Sequence, residues 1–358
     1  MEVPGAHEGG RFPSPRSPSP PASRAVEAPA LRRRARGFPR ARPARRVLVY
    51  AAPPVDASAP QPSGRRRLLV PAVLFAAVSL TAALGVLHVQ GLLPASVPSG
   101  DEPFNYLGYE RVLRHVQPDG DVDFSSMGRE RQELDRFVRS LATFSPHSRP
   151  EVFATPEDAL AYWLNAYNAL VLQQVVDGYP YLESVEQPWL GRFFWGRSWP
   201  VGGTRMTLWS LRHRVLGREF ADPRVHLALF DGTRGGPPLG GSHFQPEFLD
   251  AQLNEASRRF VGDRRNVRLD RDTVHLARLF DTYREDFLAA LPEGRRSTVL
   301  QFIWAFLPDT CEERPGCDTR SDLDRACGPK LDQCKLVFEK ADTSLPDAAA
   351  RPPRTSER

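Results

Sequence analysis

Apolar positions follow three regimes along this chain. Residues 68–87 read LLVPAVLFAAVSLTAALGVL, twenty positions without a charge. At about 1.5 Å per residue such a helix spans roughly 30 Å, the thickness of a hydrocarbon core. Between 103 and 310 apolar residues instead recur at the spacing of amphipathic helices, interrupted by short β-rich runs. Before 65 and after 337 large apolar side chains are sparse, and proline, arginine and small residues dominate.

The middle regime predicts a domain. Leu134, Phe137, Val138 and Leu141 mark a surface helix over 125–143. Thr155-Pro156-Glu157-Asp158 is a strong helix start, with a capping hydroxyl, proline in the first turn and acids beside it. The helix it opens runs to about Val176 and is apolar on nearly every face, so it is the expected central buried helix. Further helices are predicted at 206–217, 246–261, 276–290 and 297–307. Val225–Phe230 reads as a core strand, and strands near Val122, Trp199–Val201 and Val267–Leu269 complete a small sheet. The expected class is α+β: one helix-dominated globular domain with a small sheet around a central buried helix.

Charge divides the chain. Residues 1–67 hold 14 arginines against Glu2, Glu8, Glu27 and Asp56, a net +10, while the whole chain is +5. The remainder is therefore acidic, and the high pI belongs to the tail. A basic nucleic-acid-binding domain is excluded as the default reading, and no nucleic-acid partner is expected. Residues 1–64 read as a disordered Arg/Pro-rich tail, either a solvated arm, a contact for anionic lipid or nucleic acid, or sequence ahead of the true start. Arg65-Arg66-Arg67 directly precedes the apolar run and Asp101-Glu102 follows it. Arginine stays on the cytoplasmic side. Residues 65–90 are thus expected to be a single-pass signal-anchor, with the N-terminus cytoplasmic and the domain periplasmic or extracellular. A cleaved signal peptide and a buried core helix are the rival readings. A linker is expected over 91–102.

Cys311, Cys317, Cys327 and Cys334 fall beyond the last predicted core helix, with five, nine and six residues between them. Zinc sites favour Cys-x2–4-Cys pairs, which are missing here. In an exported chain the even count reads as two disulfides in a Cys-rich segment over 311–336; three pairings are open, and metal binding or free thiols are the alternatives. A disordered tail is expected over 337–358. No cofactor or metal is expected.

Two features resist a purely structural reading. Asn165 and Asn168 lie within the buried helix, where an unpaired amide costs about 1–3 kcal/mol, so each must bond a loop or a ligand. His226 lies in the expected strand, which leads into the Gly-rich turn Asp231-Gly232-Thr233-Arg234-Gly235-Gly236.

These same residues carry a family resemblance. AYWLNAYNAL (161–170), DPRVHLAL (222–229), GDVDF (120–124) and Pro237-Pro238-Leu239 resemble, in order and spacing, the signatures of the domain-of-unknown-function 547 family. The resemblance spans roughly 103–307. It implies a Cys/His/Glu site of thiol-hydrolase type, but the family's two cysteines fall on Asp231 and Gly236, and its Glu-His pair on Arg212-His213. A thiolate nucleophile is therefore missing where the family pattern places it.

The expected function is a membrane-anchored extracytoplasmic domain, a non-catalytic binding or scaffold member that meets an unidentified envelope partner or ligand. The alternative is a hydrolase with cysteine-independent acid/base chemistry. Candidate catalytic residues are His226, Asp231 and His213; candidate pocket residues are Asn165, Tyr167, Asn168 and Arg224.

Overall fold

The computed structural model describes residues 65–90, 92–95, 103–187, 192–295, 297–311 and 316–349, with side chains of the first helix described from Ala77 onward. The expected tail over 1–64 lies outside the described residues.

The α+β expectation holds. The helix Pro156–Gly178 begins with the anticipated capping box, in which the Thr155 hydroxyl accepts from Asp158 N and Asp158 reaches back to Thr155. Pro156 follows in the first turn, where its missing N–H costs nothing. Sixteen of its 23 residues are buried, including Trp163, Tyr162 and Tyr167. Such a helix has no solvent face, and the rest of the domain wraps it. The segment read as one helix over 125–143 is two, Phe124–Arg129 and Gln132–Ser140, packed on the same core.

Two three-stranded sheets flank the core. In the first, β1 (Leu93–Pro94) and β2 (Ser198–Val201) pair antiparallel with β3 (Thr204–Thr207) on either side. The expected linker thus contributes a short strand to the domain. In the second, β4 (Val267–Asp270) pairs antiparallel with β5 (Thr273–Ala277), and β6 (Lys335–Glu339) lies parallel to β5.

Three expectations are corrected. Val225–Phe230 is not a strand: Val225–Ala228 is a short helix. Asp222 accepts from Arg224 N, and His226 N reaches back to Pro223 O. An Asp-Pro helix start there outweighs the β-branched composition. The predicted helix 276–290 begins later, because Thr273–Ala277 is claimed by β4 and β6; Leu279–Thr282 and Arg284–Ala289 are the helical parts. Of the tail expected over 337–358, residues 337–349 do not trail away. After β6 the chain crosses the main core as a strap: Leu345 is buried and its N–H bonds Glu183 O, while Val122 N bonds Pro346 O and Ala348 N bonds Val122 O.

The helix Arg65–Gln90 stands at the other end of the described chain. Val78, Leu80 and Val86 are each at least 60% exposed. Its last turn is fastened to the domain, where Val89 O accepts from Thr207 Oγ1 at 3.0 Å and Gln90 O from Arg214. Among the described residues no helix is long and apolar enough to cross a membrane.

Both disulfides expected from the cysteine count are present, and the pairing is local: Cys311–Cys317 and Cys327–Cys334.

Candidate functional site

Two loops hang from the amides of the central helix. Asn165 Nδ2 donates to Phe244 O and its Oδ1 accepts from Phe244 N, both at 2.8 Å. Asn168 does the same for the segment after the short helix, donating to Ala228 O at 3.2 Å and accepting from Phe230 N at 2.9 Å. Both amides are thus occupied by backbone and are not pocket groups. Arg224, also expected in a pocket, is bound to Asp222, Asp250 and Asn254. The purpose of Asn168 is positional: it fixes the backbone between His226 and Asp231.

Beyond Phe230 the chain turns sharply. Asp231 Oδ1 accepts from Thr233 N at 3.0 Å and from Thr233 Oγ1 at 2.6 Å. Gly232 takes φ +80°, open to glycine and costly for other residues. A Cβ placed on Gly236 would lie 2.1 Å from Asp231 Oδ1. The two positions onto which the family's cysteines fall are therefore in contact, and a carboxylate at 231 leaves no room for any side chain at 236.

Around this turn a polar cluster assembles. A π-helical turn, Leu211–Leu216, presents Arg212 and His213. The Arg212 guanidinium lies 5.9 Å from the Tyr167 ring and 5.4 Å from the Tyr283 ring. His226 stacks on Tyr283 with ring centroids 3.8 Å apart, and its Nε2 is 2.8 Å from Asp286 Oδ2. His213 also lies over Tyr283, at 6.2 Å. Of the candidate catalytic residues, His213 and His226 thus meet on one tyrosine ring, and Asp231 joins them through the electrostatic reach of Arg212. Tyr283 and Asp286 were absent from the sequence-based candidates. Their signal was an i, i+3 pair of chemically active residues on one helix face, read as part of an amphipathic helix.

Burial governs the protonation states. It pushes the His226 imidazole down from 6.5 to about 4, with Arg212 adding to the effect and the Asp286 contact opposing it. His213 is lowered for the same first reason, and then by Arg212. Both imidazoles are consequently neutral near pH 7. The Asp231 carboxyl is raised by burial, against the pull of Arg212 and the Thr233 hydrogen bonds. Three buried atoms here have no hydrogen-bond partner of ordinary geometry among the described residues: Tyr167 Oη, Arg212 Nε and His226 Nδ1. The guanidinium is drawn to the Tyr167 hydroxyl by charge and by a weak hydrogen bond, without satisfying that Nε.

A cleft of about 340 Å³ opens elsewhere on the same loop, lined by Thr233, Arg234, Gly236, Asp121, Arg259 and Asn266 among others. Arg234 is already spent there, bidentate to Asp121 and donating to Leu345 O and Asp347 O. No group of His, Cys, Asp and Glu among the described residues is arranged to hold a metal ion. All four cysteines are disulfide-bonded and lie outside this cluster.

An α+β domain whose central helix, π-turn, short helix and Gly-rich turn bring one arginine, two histidines and one aspartate together is the class the structure defines. Residues 153–261 match the family described as "Protein of unknown function, DUF547". No curated protein matches the chain, and no solved structure does. Tyr283 and Asp286 lie outside the matched stretch, so the cluster is completed by a part of the chain beyond it.

Proposed function

We propose that this chain is a membrane-anchored, extracytoplasmic domain that binds a ligand without transforming it. The observation that carries the non-catalytic reading is position 231. A carboxyl fixed by Thr233 and packed against Gly236 stands where the family resemblance places a thiol, and all four cysteines are engaged as disulfides far along the chain. A disulfide sulfur is no nucleophile. The anchor reading is supported by the uncharged run 68–87, by the arginines that precede it, and by the exposed apolar side chains of the helix that contains it.

One observation favours a second reading, cysteine-independent acid/base hydrolysis. His226 is neutral, oriented through Nε2 by Asp286, and keeps Nδ1 unpartnered, which is how a general base is held.

The test has two arms. A reporter active only outside the cytoplasm, fused after residue 100, should be active; activity of a cytoplasm-only reporter instead overturns the anchored orientation. The detergent-solubilised full chain, offered a panel of ester, amide and peptide substrates, should show no turnover. Turnover abolished by His226→Ala or Asp231→Asn replaces the binding reading with the hydrolytic one.

A further inference from the structure

Arg212 carries a partly buried charge beside the central helix. It forms no ion pair among the described residues, and its buried Nε has no acceptor. A guanidinium carries five N–H donors in a rigid fork suited to planar oxyanions. Beside it lies the hydroxyl of Tyr167, wholly buried and interacting with the guanidinium, with no other partner for its O–H among the described residues. The Tyr283 ring ties the set together, with His226 stacked on it at 3.8 Å and the Arg212 guanidinium 5.4 Å from its centre. Asp286 holds Nε2 of His226. Buried donors without acceptors are costly, and native interiors rarely tolerate several together. Arg212, His213, Asp231 and Tyr283 each keep part of their surface exposed, while Tyr167 and His226 are buried.

We infer that Arg212 and Tyr167 form the receptor for a carboxylate group on the ligand of this domain. The inference rests on the binding reading above and names the chemistry that is bound. A carboxylate supplies the planar pair of acceptors that Arg212 lacks, with lone pairs left for the Tyr167 hydroxyl. A single negative charge fits better than the two of a phosphate, because the Asp231 and Asp286 carboxyls already flank the donors and like charges repel at this range.

The experiment is arginine modification mapped by peptide mass analysis. The detergent-solubilised full chain is treated with phenylglyoxal in sodium chloride, sodium acetate or sodium phosphate of equal ionic strength. Arg212 should be modified in chloride and protected in acetate, with phosphate protecting it less; exposed Arg218 should react alike in all three. Tyr167→Phe should raise the acetate concentration needed for protection about tenfold to a hundredfold, the equivalent of one hydrogen bond to a charged group. An Arg212 that is unreactive in chloride overturns the inference, since the site is then closed. Equal rates in chloride and acetate, or equal protection by phosphate, overturn it as well. Turnover in the substrate panel alongside acetate protection removes the non-catalytic reading and leaves this inference standing, whereas absent protection with absent turnover removes this inference alone.

Discussion

The region around the central helix and the region from β4 to β6 are built on opposite economies. The first buries sixteen residues of one helix and needs no covalent tie. Its polar groups are spent on suspension: two asparagines each hold a loop by donating and accepting backbone hydrogen bonds. The second has strands of four or five residues and short helices around Phe280, Phe287, Leu300, Ile303 and Leu323. It recruits the Cys327 disulfide into that core, where Cys327 is fully buried. Where apolar area is plentiful, polar residues can be assigned to holding and presenting groups. Where elements are short, a cross-link limits the unfolded chain instead.

The sharpest way to break this contrast is a cavity in the first region. Leu170→Ala in the middle of the buried helix should destabilise the whole domain by about 2–5 kcal/mol, read as a loss in denaturant midpoint shared by every probe. If only local signals change, the helix is not the common core. Next comes the covalent tie. Cys327→Ser with Cys334→Ser should cost about 2–3 kcal/mol, the range for closing a short loop. Hydrogen exchange should rise over Arg320–Cys327 and β6 while the central helix keeps its protection. Equal loss of protection in both regions means that they unfold as one.

The smallest effect, taken per pH unit, is a pH dependence carried by His226. Its folded pKa lies near 4 and its unfolded value near 6.5, so the unfolded state takes up the proton first. Stability is therefore complete above pH 6.5 and declines as the pH falls toward 4, by at most about 1.4 kcal/mol per pH unit for one proton. His226→Gln should flatten that part of the curve. A slope unchanged in the variant assigns the protonation to another group.

What the sequence made legible was local. Thr155-Pro156-Glu157-Asp158 specifies a helix start by its own hydrogen bonds, and an unbroken apolar surface specifies burial. His213, His226 and Asp231 were legible from motifs. The failures were contests between local preference and distant partners. Val225–Phe230 has strand composition, yet Asp222-Pro223 starts a helix there. Leu276 and Ala277 were absorbed into a predicted helix because the strands that claim them lie on either side in sequence, one of them near the end of the described chain. Asn165 and Asn168 were correctly marked as needing partners, but only the fold decides between a ligand and a loop. Tyr283 and Asp286 were concealed by a helical pattern in which they resemble a core ring and a solvated acid.

The strap over residues 342–348 also ties the Asp231 turn to a distant part of the chain. The amides of Arg234 and Gly235 are received by Ser344 and Asp342, and the Arg234 side chain reaches carbonyls 111 and 113 positions downstream. Contacts so far apart close late, after the entropy of the intervening chain has been lost. The turn bearing Asp231 is consequently held in part by contacts that cost more chain entropy to close than the local bonds of the helix beneath it.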